Sequence, residues 1–360
     1  MISLAEVFHR HWPDYQRQFG EQILPSHQWA AQCIMGCRTR ALGGEVYRCA
    51  DCAQDHYVYH SCNHRACPQC GQSDTSDWLE QQKLQLLPVP YYLITFTVPE
   101  GLRAWLRSHQ KLGYGLLLQE SARALQDVAG RAKYLGAKLG FLSVLHTWGR
   151  QLQYHPHVHC VVPAGGLRAD GLRWVAPKSP DFFLPQRVLA ARFRTRLKIA
   201  LRQPEATDTA QIPATVWRQD WVVDIQTAGR GEPALKYLAA YVQRTALGPE
   251  RILKDEQGEI TFKYKDTQDR QWHVLVLPAL EFIRRFLQHV LPKGFQRVRH
   301  YGWLSPAAAG RWRTILALLD WHPPEPKPPA PRPRLCPHCG SANLACLGRL
   351  PRAPPNPTLR

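Results

Sequence analysis

The sequence predicts an α+β protein in which a mostly antiparallel sheet is flanked by helices. Three observations support this class. Segments with strand patterning alternate with helical segments, but they follow one another as hairpins rather than as regular strand–helix–strand units. Two Cys-x-x-Cys motifs near the N-terminus indicate a small cysteine-rich module. Residues 323–334 contain seven prolines, which predicts a Pro-rich linker to a small C-terminal tail with further cysteines.

The composition predicts a polyanionic partner. Of 360 residues, 46 are Lys or Arg and 28 are Asp or Glu, giving a net charge of +18. Such an excess fits nucleic acid better than a membrane, and 12 Trp and 13 Tyr are available to stack on bases. No apolar run reaches the roughly 18 residues of a transmembrane helix, and the N-terminus has no signal-peptide pattern. We therefore expect a cytoplasmic, nucleoid-associated protein whose 11 cysteines bind metal rather than form disulfides.

The N-terminal cysteines predict a structural zinc site. The two motifs are separated by fourteen residues, and their four thiolates are Cys49, Cys52, Cys67 and Cys70. Two such motifs can close a tetrahedral site around Zn²⁺. Cys62 and His64, with Cys33 and Cys37, can complete a second site, or Cys62 can replace one of the four. Burial explains Cys33 and Cys37 better, because they lie one helical turn apart.

The C-terminal tail contains a third Cys-x-x-Cys motif. It spans Cys336–Cys339, and Cys346 follows it. The motif resembles half of a zinc ribbon. The alternative interpretation is a disordered tail with incidental cysteines.

A strand with two histidines forms the centre of the predicted domain. Tyr154–Pro163 is typical of a turn followed by a strand, with several β-branched valines. Side chains alternate faces along a strand, so His157 and His159 point the same way. Two imidazoles side by side on a strand supply half of a metal site. The competing interpretation is a pair of surface histidines on an edge strand.

A hairpin is predicted to bring a third histidine to this strand. Residues 141–148 are expected to pair with residues 157–162 through a turn centred near residues 152–153. That register places His146 opposite His159, as a third ligand or as a residue that supports the ligands. Cross-strand packing is the alternative role. Weaker ligand candidates are Glu100 and Asp224.

Two tyrosines lie on one face of a predicted helix. Tyr237 and Tyr241 are four residues apart, and Arg244 continues the same stripe. Pro233 near the start of this helix is tolerated there. Amphipathic packing alone also explains such a pair. Two phenols and a guanidinium, together with a His-hydrophobic-His strand, suggest phosphoryl transfer through tyrosine.

The other elements follow from periodicity and turn residues. Helices are predicted for residues 1–30, 76–90, 102–137, 187–203, 280–290 and 306–319, and strands for residues 91–99, 221–225, 260–265 and 272–277.

These motifs together resemble one known family, the two-tyrosine HUH transposases of rolling-circle insertion sequences, where HUH denotes His-hydrophobic-His. The resemblance covers roughly residues 30–305 and keeps the order of the family's motifs. In addition to the cysteine-rich region, the HUH strand and the tyrosine helix, it rests on Ile94–Pro99, Leu145–Trp148, Glu281–Phe286, Leu291–Phe295 and Arg299–Gly302. One difference is that the family's second tyrosine is often followed by Thr-His-Arg, whereas this chain has Val-Gln-Arg with Gln243 in the middle.

The resemblance implies an HUH-type antiparallel sheet and a division of the chain into four parts. Residues 1–88 would form N-terminal helices and a zinc-binding domain, residues 89–305 the HUH tyrosine domain, residues 306–322 a C-terminal helix, and residues 323–360 the linker and tail.

The resemblance also implies a mechanism on single-stranded DNA at the insertion-sequence ends. His157 and His159 would hold Mg²⁺ or Mn²⁺, and a tyrosine would attack the scissile phosphate to give a 5′-phosphotyrosine and a free 3′-hydroxyl. Lys236 and Arg244 are candidates for the cation that favours the phenolate. No nucleotide cofactor is needed, because the covalent bond conserves the energy of the phosphodiester.

Three alternatives remain at this point. A plasmid or phage replication initiator or relaxase would use the same chemistry. A zinc-dependent hydrolase would require a catalytic Glu, but His-Glu-x-x-His is absent. A zinc protein without catalytic activity would bind DNA and never cleave it.

Overall fold

The structure is a computed structural model that describes residues 2–70, 73–179, 182–230, 233, 235, 246–266, 269–325 and 333–353. Five candidate residues of the predicted tyrosine helix lie outside these ranges, namely Lys236, Tyr237, Tyr241, Gln243 and Arg244.

Helices form at most of the places where the sequence predicts them. The described α-helices are α1 Leu4–Phe19, α2 Pro25–Gly36, α3 Ser73–Lys83, α4 Glu100–Ser108, α5 Gln110–Ala129, α6 Gln186–Ala200, α7 Ala279–Leu287 and α8 Ala309–Leu318. The prediction that residues 102–137 are helical is confirmed up to Ala129, but the chain leaves helical geometry at His109 (φ −115°, ψ 45°), which separates α4 from α5. No helix of the described residues is long and apolar enough to cross a membrane.

The strands form three larger sheets and one small pair. They are β1 Gly44–Cys49, β2 Asp55–Tyr59, β3 Tyr91–Thr97, β4 Gly140–Trp148, β5 Tyr154–Pro163, β6 Gly166–Leu167, β7 Trp174–Val175, β8 Val222–Thr227, β9 Ile252–Glu256, β10 Glu259–Lys265, β11 Trp272–Pro278, β12 Val298–Gly302 and β13 Leu344–Leu350. The expected hairpins are present, whereas seven of the described strands were not predicted, namely β1, β2, β6, β7, β9, β12 and β13.

The central sheet has five antiparallel strands in the order β12-β4-β5-β3-β8. One face carries the apolar side chains of each strand, such as Phe96 paired with Val158, and it packs against α4, α5 and α6. Phe193 of α6 meets Phe96 edge-on at 5.1 Å between ring centroids. The helices therefore cover one face, and the sheet's other face is left to carry the histidines.

A second core joins the N-terminal helices to a distant part of the chain. Residues of α1 and α2 pack with the β9–β11 sheet and with α7. At its margin the buried carboxylate of Asp255 pairs with His11 at 2.7 Å and with Arg10 at 2.9 Å. Ser3 begins α1 with a capping box to Glu6. The cysteine-rich module is thus fixed to the body of the protein.

The C-terminal segment is part of the N-terminal module and not a separate tail. Strand β13 pairs antiparallel with β1, which lies between β13 and β2. The interpretation of the described residues 333–353 as a disordered tail is therefore wrong. Sequence spacing could not reveal this pairing, because its two partners lie at opposite ends of the chain.

Candidate functional site

Three buried histidines converge on the face of the central sheet opposite α4, α5 and α6. His157 and His159 share one face of β5, as predicted, and His146 reaches them from β4. Their ligating nitrogens all lie within 4.8 Å of one another. The His146 ring lies 5.1 Å from that of His157 and 4.8 Å from that of His159, both nearly perpendicular. Imidazoles that converge edge-on in this way can direct nitrogen lone pairs at one ion.

The predicted register of the hairpin is wrong, although it brought the right residues together. His146 pairs with His157, and His159 pairs with Val144. The turn is centred one or two residues earlier than expected, because the Gly149 amide donates to the Gln153 carbonyl at 2.9 Å. A bulge after His146 also shifts the pairing by one residue.

Hydrogen bonds orient two of the three rings. The Nδ1–H of His157 donates to the backbone carbonyl of His155 at 2.7 Å, which leaves Nε2 as the lone-pair nitrogen. Nδ1 of His159 lies 2.9 Å from the hydroxyl of Thr95. Such partners fix the tautomer and the direction of a metal-binding imidazole. Sequence reasoning missed Thr95, although it lies directly opposite His159 on β3.

Burial keeps these imidazoles neutral. Desolvation lowers the pKa of His157 to about 4 and holds the pKa of His159 well below its usual value. For His157, the hydrogen bond to the His155 carbonyl partly opposes this shift, whereas electrostatic repulsion from His155 and Arg103 lowers the pKa further. For His159, repulsion from His157 lowers the pKa further. At neutral pH His157 and His159 are therefore in the unprotonated form that binds metal.

The weaker ligand candidates lie outside this cluster. Neither Glu100, in the first turn of α4, nor Asp224 belongs to the group of converging ligand atoms among the described residues. Asp224 accepts from Gln226 at 2.6 Å and is paired through Thr95 to the histidine strand. The β8 edge of the central sheet is accessible, because Val222 of β8 is 60% exposed.

The two N-terminal Cys-x-x-Cys motifs do not close one site, which corrects the sequence prediction. One cluster contains Cys67 and Cys70 together with the two lesser candidates, Cys37 and Cys62. Sulfur separations in it are 3.0 Å for Cys37–Cys70 and 3.4 Å for Cys62–Cys70. Burial raises the pKa of the Cys37 thiol to about 12, so its thiolate form depends on a bound cation.

The other motif belongs to a second cluster. Cys49 and Cys52 lie beside Cys336 and Cys339 of the C-terminal segment, with all four sulfurs within 4.8 Å. The intervening fourteen residues therefore join two clusters instead of spanning one. Connectivity among several cysteines cannot be deduced from spacing.

Several basic residues that could contact DNA are used inside the protein. Arg192 and Arg196 of α6 share the carboxylate of Asp127, at 2.5 and 2.6 Å. Arg196 also approaches the buried Glu120 at 3.5 Å. These two arginines of α6 stabilise its contact with α5 and add little to the uncompensated positive charge at the surface.

Comparisons with known proteins define the class. The model of a family described as "Putative transposase" matches residues 140–311, which contain the three histidines. A family described as "Transposase zinc-binding domain" matches residues 7–98, which contain both N-terminal Cys-x-x-Cys motifs. The two matches thus define the class as transposases with an N-terminal zinc-binding domain.

Two relatives that match most of the chain show the family to which it belongs. The chain is 37% identical over 322 residues to "Putative transposase y4qJ" of Sinorhizobium fredii, which covers 84% of this chain and 80% of that protein. It is 27% identical over 315 residues to the transposase for insertion sequence element IS801 of Pseudomonas savastanoi pv. phaseolicola, covering 82% and 74%. The chain belongs to this transposase family, which confirms the membership expected from its motifs.

A solved structure with local similarity is the conjugative relaxase TrwC in complex with oriT DNA, in its metal-free form. The match has 22% sequence identity and a TM-score of 0.24, and it covers 30% of this chain and 42% of that chain.

Proposed function

We propose that this transposase cleaves and rejoins single-stranded DNA at insertion-sequence ends through a 5′-phosphotyrosine, with His146, His157 and His159 as ligands of one divalent cation. The observation that carries the proposal is the cluster of three buried imidazoles, whose ligating atoms lie within 4.8 Å of one another. The cluster lies within the segment that matches the transposase family.

The donor set decides which cation fits best. Mg²⁺ prefers oxygen ligands, whereas imidazole suits softer ions, so three neutral imidazoles favour Mn²⁺ over Mg²⁺. The Nδ1–H bond of His157 to a carbonyl leaves Nε2 to bind the ion. When bound, the cation would polarise the scissile phosphate and stabilise its developing charge.

The chain's own residues supply the remaining steps. The phenol oxygen of Tyr237 or Tyr241 forms a bond to phosphorus, and the 3′-oxygen leaves and takes up a proton. A phenol has a pKa of about 10, so a cation such as Lys236 or Arg244 would favour the phenolate. The free 3′-hydroxyl later attacks the phosphotyrosine and restores a phosphodiester. The second tyrosine can accept another strand while the first carries DNA.

The first test is a covalent-adduct assay. Labelled single-stranded DNA carrying the element's end is incubated with protein and Mn²⁺ and run on a denaturing gel. We expect a shifted band that requires metal and is lost in the Tyr237→Phe/Tyr241→Phe double variant. The single variants rank the two tyrosines. Tyr57→Phe is the control that should keep the band, because Tyr57 is an exposed residue of β2 in the cysteine-rich module. Absence of an adduct from folded, zinc-loaded protein would leave DNA binding without cleavage as the function.

The same panel tests the metal ligands. His146→Gln and His157→Gln should each weaken Mn²⁺ binding, measured by calorimetry, by more than about tenfold. Losing only a hydrogen bond to a metal ligand already costs about tenfold in affinity, so losing a ligand should cost more. His155→Gln is the matched control, because His155 supports the site through its backbone carbonyl, which the variant keeps. If His146→Gln and His157→Gln bound Mn²⁺ as tightly as the His155→Gln control, His146 and His157 would not be metal ligands.

A further inference from the structure

We propose that the two ends of the chain together build a second structural zinc site. Cys49 and Cys52 supply one half of it, and Cys336 and Cys339 supply the other. This site is distinct from the cluster of Cys37, Cys62, Cys67 and Cys70. It does not depend on the proposed DNA chemistry.

The sulfur geometry fits zinc and excludes disulfides. Cys49 and Cys339 have a sulfur separation of 3.5 Å, and Cys52 and Cys336 one of 3.7 Å. A tetrahedron with Zn–S bonds of about 2.3 Å has sulfur–sulfur edges of about 3.8 Å. A disulfide bond would require about 2.05 Å. Four thiolates at these separations form a closed structural site, with no position left for substrate.

The two halves of the site have the same backbone conformation. In one, the Cys49 amide donates to the carbonyl of Gln54 at 3.0 Å, and in the other the Cys336 amide donates to the carbonyl of Ser341 at 2.7 Å. Each bond spans five residues. The residue after the second cysteine has a positive φ in both halves, 54° at Ala53 and 75° at Gly340. Two loops 284 residues apart that adopt one conformation around a common centre are the pattern of a zinc ribbon.

Contacts outside the cysteines hold the two halves in register. Strand β13 pairs with β1 from Gly44 opposite Leu350 to Cys49 opposite Leu344. Asn343 bonds both to the Ala50 amide, through its carbonyl, and to the Asp51 carboxylate, through its side chain.

An arginine adds a further link between the two ends. The guanidinium of Arg334 pairs with Glu45 at 3.1 Å and lies 4.3 Å from the ring centroid of Tyr47. The C-terminal segment is therefore positioned by several interactions and not by its cysteines alone.

The small sheet needs the metal because it has little core. Strand β2 has no buried residue, and neither has β13. Only the two ends of β1, Gly44 and Cys49, are buried. A sheet with so little apolar burial is marginal without a metal or other crosslink. We infer that Zn²⁺ makes the C-terminal segment a permanent part of the zinc-binding module.

Zinc counting is the first test. The purified wild-type chain should hold one zinc ion in each cysteine cluster, and Cys336→Ser/Cys339→Ser should hold one ion fewer, whichever metal the three histidines carry. Cys49→Ser/Cys52→Ser should lose the same single ion, which only a shared site predicts. Cys346→Ser is the matched control, because Cys346 lies on β13 but outside the cluster, and it should keep both ions. A zinc content of Cys336→Ser/Cys339→Ser equal to that of the wild type would overturn the proposal.

A second test does not depend on the folding of a cysteine variant. A protease site is placed within residues 326–332 of the otherwise full-length chain, and the chain is cut after purification. We expect the C-terminal fragment to stay bound to the remainder during gel filtration and to be released when a chelator removes zinc. Release without a chelator, or retention after zinc has been removed, would contradict a zinc-held ribbon.

Discussion

Among single residues, the buried His289 is held in place by two polar neighbours. Its Nε2–H donates to the carbonyl of Leu152 at 3.1 Å, and the hydroxyl of Thr147 lies 3.3 Å from Nδ1. The ring fixes the end of α7 against the β4–β5 turn. Burial lowers the pKa of His289 to about 4.

This pKa predicts a loss of stability in mild acid. The unfolded chain takes up the proton near pH 6.5, whereas the folded chain resists protonation until about pH 4. The free energy of unfolding should therefore be unaffected above pH 6.5, fall as the pH decreases towards 4, and level off below. The full loss from this residue is about 3 kcal/mol, since one pKa unit corresponds to about 1.4 kcal/mol.

The measurement compares denaturant unfolding between pH 7 and pH 4 in the wild type and in His289→Gln. Other buried histidines and the zinc sites also respond to acid, so the difference between the two chains is the relevant quantity. His289→Gln should have the shallower slope, and His322→Gln, at an exposed position, should match the wild type. Parallel curves for His289→Gln and the wild type would show that His289 does not titrate in this range.

At the level of secondary structure elements, the sequence predicted what depends on local periodicity. The alternation of Tyr154–Pro163 predicted that His157 and His159 share a face, and the structure shows them together. The opposite partner of His146 could not be predicted, because one bulge and the exact turn centre decide the register.

Seven of the described strands and one cysteine cluster could not be predicted from local patterns. Strand β12 contains Arg299, His300 and Tyr301 in its five residues and has no apolar alternation, so its identity comes from pairing with β4. The cysteine partners depended on contacts 284 residues apart in the chain. Pairing over such a distance is set by the tertiary fold and leaves no periodic signal.

A glycine at the end of β12 should be essential for the central sheet. Gly302 has φ +62°, and a Cβ at this position would lie 1.7 Å from the carbonyl oxygen of Leu139. Gly302→Ala should therefore destabilise the protein on the order of 3 kcal/mol, through backbone strain and displacement of β12. Gly310→Ala, in α8 with no atom within 4 Å of the added carbon, should change stability by less than about 1 kcal/mol. Thermal unfolding compares them, and equal midpoints would contradict this account of β12.

For the molecule as a whole, the net charge of +18 is distributed unevenly between internal pairs and open surface. Arg192 and Arg196 are compensated by acidic residues. A different basic surface borders the edge strand β12, and its lining includes Gln119, Gln296, Arg297, Arg299 and His300. Among the described residues, no carboxylate pairs with Arg299, whose guanidinium lies 5.5 Å from the ring centroid of Phe295.

This uncompensated charge predicts how DNA binding responds to salt. The logarithm of the affinity for an unstructured oligonucleotide should fall linearly with the logarithm of the salt concentration, because bound phosphates release counterions. If the surface beside β12 contacts the DNA backbone, Arg299→Ala should weaken binding and reduce the slope by about 0.7, the value for one phosphate contact on a single strand. Fluorescence anisotropy at several salt concentrations measures both quantities. Arg168→Ala is the control, because Arg168 is already paired with Asp170, and its slope should equal that of the wild type. A slope in Arg299→Ala equal to that of the wild type would show that the surface beside β12 does not contact the DNA backbone. The DNA would then bind to another basic face of the protein.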